Sequence, residues 1–270
     1  MRVGSQLLQI SGSTVLLTGA TGGIGHAIAR VLRSRGAQLI LTGRRIEVLE
    51  QLGEELDARV LAVDLSVAAE VERLVANAGD VDILIANAAL PASGTLESFS
   101  VAEVDRALDV NLRAPIVLAH ELVPGMVLRG RGHLLFMSSL AGKAPTPRAT
   151  VYSASKFGLR GFASALRSDL RGTGVGVSTV FPGFISDAGM YADADVKLPL
   201  GIGTRSPEDV AGAVVGAIER NRGEVDVAPL ALRVGTAFAS LAPELAGSVA
   251  RRLGSDEVSR KMADRQSDKR

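Results

Sequence analysis

The sequence predicts an α/β protein: a doubly wound parallel sheet of about seven strands, with a helical extension at its C-terminal end. Three observations carry this prediction. Short β-branched and apolar runs alternate with helical patterns along most of the chain. The first run passes straight into a glycine-rich turn and then a helical pattern, the order that a phosphate site needs. Almost every chemically distinctive residue follows directly after one of the runs, so these residues gather at the edge of the sheet where open α/β folds bind ligands. At 270 residues the chain suits one large unit. It divides into a main part over 1–228 and an extension over 229–270 packed on the same unit, with a highly charged end (255–270) expected to fray.

The elements follow in order. Thr14–Thr18 reads as a buried first strand. Gly19-Ala-Thr-Gly-Gly-Ile-Gly25 then opens a helix through Ile28, Ala29, Val31 and Leu32. Glycines there let backbone amides approach a pyrophosphate, and the helix N-terminus adds partial positive charge. Without the strand and helix around it, the same pattern would mark only a tight turn. Ala37–Thr42 is the second strand, ending at Gly43-Arg44-Arg45. A carboxylate at this place grips a ribose 2′-hydroxyl, whereas an arginine suits a 2′-phosphate; the alternative is a solvated basic turn before a helix over Ile46–Leu56. Arg59–Val63 and Val81–Ala86 give the third and fourth strands, closing on Asp64-Leu65 and Asn87-Ala88-Ala89, with a helix over Val67–Ala78 between them. Helical patterns over Val101–Asn111 and Pro115–Leu128 leave Asn111 between them, which by position alone is a structural residue.

His133–Met137 is the fifth strand, and Ser138-Ser139 stands at its end. A proline-broken loop leads to a helix from Tyr152 to Leu170, with Lys156 one turn beyond Tyr152 on the same face. A phenol of pKa about 10 is a poor base at neutral pH, and a nearby ammonium favours the phenolate. A tyrosine tuned in this way can exchange a proton with an alcohol or ketone oxygen, which a serine hydroxyl would orient. Taken alone, the Tyr/Lys pair also fits a half-buried tyrosine and a solvated lysine. Gly176–Phe181 is the sixth strand, ending at Pro182-Gly183. Phe184–Gly203 has no clean period and reads as a functional loop. Ser206 caps a helix that begins at Pro207 and runs to Asn221, and Glu224–Val227 is the seventh strand. Pro229–Leu253 is apolar and broken at Pro243, so two short amphipathic helices are expected. Their role is packing on the protein or a partner subunit, or else an apolar flap over the pocket or contact with a membrane surface through Arg251 and Arg252.

Composition bounds the function. A net charge of +1 implies no polyanionic partner. Aromatic residues at 3 %, with no Trp, leave few platforms for stacking bases, so no nucleic-acid role is expected. No cysteine is present, which removes disulfides, thiolate metal sites and a cysteine nucleophile, and suits a reducing, cytoplasmic setting. Met1–Gly12 is too short and mixed for a signal peptide. No apolar run reaches the roughly 18 residues of a spanning helix. No metal site is expected.

Taken together, TGATGGIG at Thr18–Gly25, Asp64-Leu65, Asn87–Ala89, Asn111, SSLAG at Ser138–Gly142, YSASK at Tyr152–Lys156 and PG at Pro182 resemble the short-chain dehydrogenase/reductase family, over about Ser13 to Val227 and in the family's order. The resemblance implies a Rossmann-type sheet and a nicotinamide cofactor. It makes Tyr152 the general acid/base, with Lys156 lowering its pKa and binding the nicotinamide ribose. Ser139 would orient the substrate oxygen, and Asn111 would hold a water linking Lys156 to a proton relay. Gly19, Thr21, Gly23, Ile24, Gly25, Arg44, Arg45, Asp64, Leu65, Asn87, Ala88, Ala89, Pro182, Gly183, Ile185 and Ser186, together with Tyr152 and Lys156, are the expected cofactor contacts. Where the family often has a threonine after PG, this chain has Ser186-Asp187, so Ser186 or backbone would substitute. The expected cofactor is NADP(H), with NAD(H) possible, and the expected substrate a small, apolar carbonyl or alcohol compound met through Leu90, Leu140, Phe184, Met190 and Tyr191. A homodimer or homotetramer is expected. Two alternatives stay open: an acyl-thioester ketoreductase of lipid metabolism, and a non-catalytic dinucleotide sensor.

Overall fold

A computed structural model describes residues 8–194, 203–245, 248 and 255–266 of the chain. Seven strands form one parallel sheet in the order β3-β2-β1-β4-β5-β6-β7. They are β1 (Thr14–Thr18), β2 (Gln38–Gly43), β3 (Arg59–Ala62), β4 (Ile83–Ala86), β5 (Gly132–Met137), β6 (Val175–Pro182) and β7 (Glu224–Val227). Every residue of β4, β5 and β6 is buried. This is why those strands read as continuous apolar runs rather than alternating ones: helices cover both faces of the sheet. The first three strands step outward from β1 in one direction, and β4 to β7 step in the other. The order therefore reverses between β1 and β4, and a crevice opens there beyond the strand ends.

On one face lie α1 (Gly23–Ser34), α2 (Ile46–Leu56) and α8 (Pro207–Glu219), which bury Ile28, Leu32, Leu49 and Val214 against the sheet. On the other lie α3 (Ala68–Ala78), α5 (Ala114–Leu128) and α6 (Thr150–Asp169), with Leu74, Leu118 and Leu159 inside. The α8 start is set locally: Ser206 accepts from the Asp209 amide while the Asp209 side chain reaches back to the Ser206 amide, a reciprocal cap.

Three expectations change, and the break expected at Pro243 is present. The two helical patterns around Asn111 are one continuous column, in which α4 (Val101–Leu108) passes through a π turn (Asp109–Arg113) into α5. Such turns are frequent at functional sites. The stretch read as an aperiodic loop contains a short helix, α7 (Gly189–Ala194), and a bridge between Ile185 and Arg205; its residues 195–202 lie outside the described ones. The extension forms α9 (Leu230–Leu241), which ends just before Pro243. The charged end, expected to fray, contains a helix, α10 (Ser255–Gln266). The charges of α10 mask a second pattern, since Ser259, Ala263 and Gln266 share one face and are buried, in a helix that packs on α7. Arg251 and Arg252, on which a membrane contact rested, lie outside the described residues. No helix among the described residues is long and apolar enough to cross a membrane.

Candidate active site

A cleft of about 1480 Å³ runs along the C-terminal edge of the sheet, larger than the pockets of drug-sized ligands. Its floor is built by close backbone approaches. Gly19 has φ +67°, and a Cβ there would lie 2.8 Å from Ala88 Cα; one on Gly25 would lie 2.3 Å from the Gly19 carbonyl oxygen. The Gly19–Gly25 turn therefore packs directly on the end of β4 and starts α1 with no side-chain cap and no acidic residue in the first turn. Its free amides and dipole are available to an anion. Asn87 fixes the turn from the other side, donating from Nδ2 to the carbonyls of Thr18 (3.0 Å) and Gly19 (3.2 Å), while Thr18 Oγ1 accepts from the Asn87 and Ala88 amides. A bare floor of peptide groups beside a helix start fits the pyrophosphate of a dinucleotide.

At one end of the cleft, Arg44 follows β2, exposed and with no hydrogen-bonding or ion-pair partner among the described residues. Arg45 is spent differently. Its guanidinium donates to the Thr21 carbonyl, so it braces the glycine turn. Asp64 accepts from the Ser66 amide (2.9 Å) and hydroxyl (2.7 Å) and pairs with Arg106 at 3.3 Å. Burial pushes the Asp64 carboxyl up, but these hydrogen bonds and the charges of Arg106 and Arg44 together hold it below its ordinary value. Arg106, with no motif to mark it, lines the cleft through this pair.

At the other end stand Ser139, Tyr152 and Lys156. Ser139 closes β5, and its Oγ accepts from the Ala141 amide at 3.2 Å, which shapes the following turn. Lys156 is 1 % exposed and donates from Nζ to the Met137 carbonyl at 2.9 Å. Burial lowers its pKa to about 8. Tyr152 lies one helical turn away, half-buried, with its ring centre 5.6 Å from the Lys156 ammonium. Burial pushes the phenol up to about 12, partly offset by a hydrogen bond from Ser139. The expected lowering by Lys156 is therefore not seen in the chain alone, because enclosure outweighs a cation held toward Met137.

Two expected contacts do not line the cleft. Asn111 is fully buried behind Leu90. Its Oδ1 accepts from the Leu90 amide (2.7 Å) and its Nδ2 donates to the Leu90 carbonyl (2.9 Å), so its side chain staples the β4 exit to the π turn. Ser186 turns its hydroxyl to the Arg205 carbonyl at 3.3 Å. Gly19, Thr21, Gly23, Ile24, Gly25, Arg44, Arg45, Asp64, Leu65, Asn87, Ala88, Ala89, Pro182, Gly183 and Ile185 do line it, with Ser139, Tyr152 and Lys156. So do Leu90, Leu140, Phe184, Met190 and Tyr191, the last meeting Phe184 edge-on at 5.2 Å between ring centres. From the extension, Leu232 and Phe238 of α9 and Met262 and Gln266 of α10 also reach it. Residues of both extension helices thus line the cleft, where an apolar flap was one of the expected roles.

The pKa of Lys156 has a consequence for folding. Between about 8 and its ordinary 10.5 the unfolded chain holds a proton that the folded chain lacks, so stability rises with pH across that window. The Tyr152 phenol opposes this only above about 10. Urea unfolding at about pH 8 and about pH 10 should show the rise in the parent and a smaller one in Lys156→Met. An equal rise in both would contradict the assignment.

A profile of the short chain dehydrogenase family matches residues 13–197. Among curated proteins, the chain is similar to the ketoacyl reductase HetN of a Nostoc species, at 38 % identity over 227 residues, covering 81 % of this chain and 79 % of that one. Among solved structures it is similar to a metagenomic short-chain oxidoreductase in complex with NADP (34 % identity, TM-score 0.69, 82 % of this chain and 99 % of that one). It is also similar to a short chain dehydrogenase/reductase of Burkholderia phymatum in complex with NAD (25 % identity, TM-score 0.78, 88 % and 96 %). With its sheet order, its glycine floor and its Ser139/Tyr152/Lys156 cluster, the chain belongs to the short-chain dehydrogenase/reductase family of oxidoreductases.

Proposed function

We propose that the protein is an NADP(H)-preferring oxidoreductase that interconverts a carbonyl and a secondary alcohol, with Tyr152 as general acid/base. The observation that carries the cofactor half is Arg44, an exposed cation at the β2 end of the cleft that makes no hydrogen bond or ion pair among the described residues, beside Gly43 where a carboxylate would repel a phosphate. Arg45 supports it indirectly by holding the glycine turn. When bound, the nicotinamide supplies or takes the hydride. The protein's residues manage the oxygen. With its pKa pushed up to about 12, Tyr152 holds its proton at neutral pH and can deliver it to a carbonyl oxygen becoming an alkoxide. Ser139 orients that oxygen, and the Lys156 ammonium favours the phenolate left behind. The apolar lining, Leu90, Leu140 and Phe184 with Leu232 and Phe238 of the extension, suits an apolar substrate.

A second reading, reduction of an acyl-thioester carbonyl, draws support from the similarity to a ketoacyl reductase. Apart from Lys156, Arg148 is the one Lys or Arg lining the substrate side among the described residues. A single cation is no basic patch for a carrier, so the free carbonyl compound stands first. A pure sensor would have no use for the Ser139/Tyr152/Lys156 cluster. We also infer a homo-oligomer, from Leu128 (88 % exposed) and Phe157 (40 %) on the outer sides of α5 and α6. Light scattering that shows a monomer would remove this inference.

Tyr152→Phe should lower turnover by about 10²–10⁴ and leave NADPH binding, followed by nicotinamide fluorescence, unchanged. Activity within a few-fold of the parent would refute the assigned acid. A charge-assisted hydrogen bond contributes roughly 1.5–3 kcal/mol, so Arg44→Ala should weaken NADPH about tenfold or more and spare NADH. A parent that runs better on NADH, or an equal loss for both nucleotides, would overturn the role of Arg44. Gly43→Asp is the poorer probe, because a Cβ there would lie 2.9 Å from Thr21 Cγ2 and push on the glycine turn whichever nucleotide binds.

A further inference from the structure

The extension brings into the cleft a polar group that no described residue satisfies. Gln266, in the last turn of α10, is 1 % exposed and lines the cleft. Its Nε2 donates to the Met190 carbonyl on α7 at 2.7 Å. That bond fixes the amide orientation, since the carbonyl of Met190 can only accept. The other amide atom, Oε1, is buried and has no hydrogen-bond partner among the described residues. A buried acceptor left unpaired costs about 1–3 kcal/mol, and native structures rarely keep one without cause.

The surroundings of α7 indicate which ligand would pair with it. Ala188, just before α7, lies against the glycine turn: a Cβ on Gly23 would come within 2.5 Å of the Ala188 Cβ. Gly189, at φ +79°, opens α7 beside Ile24, where an added Cβ would lie 3.3 Å from Ile24 Cδ1. Met190 follows, so Gln266 is anchored next to the stretch that crosses over the pyrophosphate floor. An acceptor needs a donor, and a pyrophosphate has none. On the dinucleotide reading the adenine end would lie elsewhere, beside Arg44, Asp64 and Arg106, which line the far end of the cleft. What remains of a dinucleotide on this side is the nicotinamide half, whose carboxamide carries N–H groups. Ser186 is not a competing partner, because its hydroxyl is turned to the Arg205 carbonyl and it does not line the cleft.

We propose that Gln266 is a cofactor-binding residue: its Oε1 accepts a hydrogen bond from the nicotinamide carboxamide, so that α10 closes the cleft over the reactive half of the dinucleotide. The inference rests on the dinucleotide reading given above. It gives the C-terminal extension a direct part in holding the cofactor, in addition to covering apolar surface.

The test is nucleotide affinity, measured by isothermal titration calorimetry with NADPH, NADH and 2′-phospho-ADP-ribose, which lacks the nicotinamide. Gln266→Leu should weaken NADPH and NADH by the same factor, about five- to tenfold for one lost hydrogen bond, and leave 2′-phospho-ADP-ribose unchanged. Should that variant fail to fold, the chain ending at residue 254 serves, with its fold checked by thermal unfolding. It should lose at least as much for the two nicotinamide nucleotides and remain closer to the parent for the third ligand. A parent that binds no nicotinamide nucleotide would remove the cofactor reading itself. A parent that binds them, with variants showing no loss or an equal loss for all three ligands, would overturn the role of Gln266 alone.

Discussion

A buried ammonium at the end of β5 is the constraint on which the catalytic corner depends. Lys156 Nζ donates to the Met137 carbonyl (2.9 Å), and Ser138 Oγ donates to the Lys156 carbonyl (3.2 Å). Together the two bonds tie α6 to the strand end. The approach is so close that a Cβ on Gly142 would lie 2.6 Å from Ser138 Oγ and 2.7 Å from the Lys156 carbonyl oxygen. From this clamp follow the position of Tyr152, one turn back on the same helix, and that of Ser139, two residues on from the strand. Enclosure of both titrating groups follows too. It costs the charged forms of each, lowering the lysine and raising the tyrosine.

A second tie joins this corner to the extension. Lys143, in the turn after Ser139, pairs with Asp226 (2.6 Å) and Glu224 (3.0 Å) of β7 and lies over the Phe181 ring, while Ser240 of α9 donates to its carbonyl at 2.8 Å. The same short segment thus meets Ser139, the last strand and α9. Residues α9 offers to the cleft, such as Leu232 and Phe238, are placed by this contact and not by the Rossmann-type sheet alone. Part of the cleft lining is accordingly supplied from outside residues 13–197 matched by the family profile.

The sheet was legible because buried parallel strands have to be apolar throughout, and runs such as His133–Met137 leave no other reading. The convergence of site residues was legible for a related reason: in a parallel sheet the strand ends share one edge. Less could be read where a side chain has several possible partners. Arg44 and Arg45 both line the cleft, yet Arg45 also braces the Thr21 carbonyl, a difference that adjacency in sequence does not show. Asn111 was expected to hold a water beside Lys156, yet both its amide atoms bond the backbone of Leu90, 21 residues away in sequence. Ser186 was assigned to the cofactor and bonds the Arg205 carbonyl. The helix α10 was hidden by its charges, because three small or polar residues at helical spacing make a weak signal beside Arg260, Lys261, Asp264 and Arg265. Its buried face has meaning only once α7 is there to receive it.

The central claim is that this cleft moves hydride to a carbonyl carbon while Tyr152 supplies the proton. Deuterium tracing tests it most directly. NADPH deuterated at nicotinamide C4 is incubated with the protein and a panel of apolar ketones and 3-oxoacyl thioesters, and the products are read by mass spectrometry. The account predicts deuterium on the carbinol carbon of at least one apolar ketone with the parent and almost none with Tyr152→Phe. Tight NADPH binding with no deuterium transferred to any carbonyl compound would contradict it and leave a nucleotide sensor in its place.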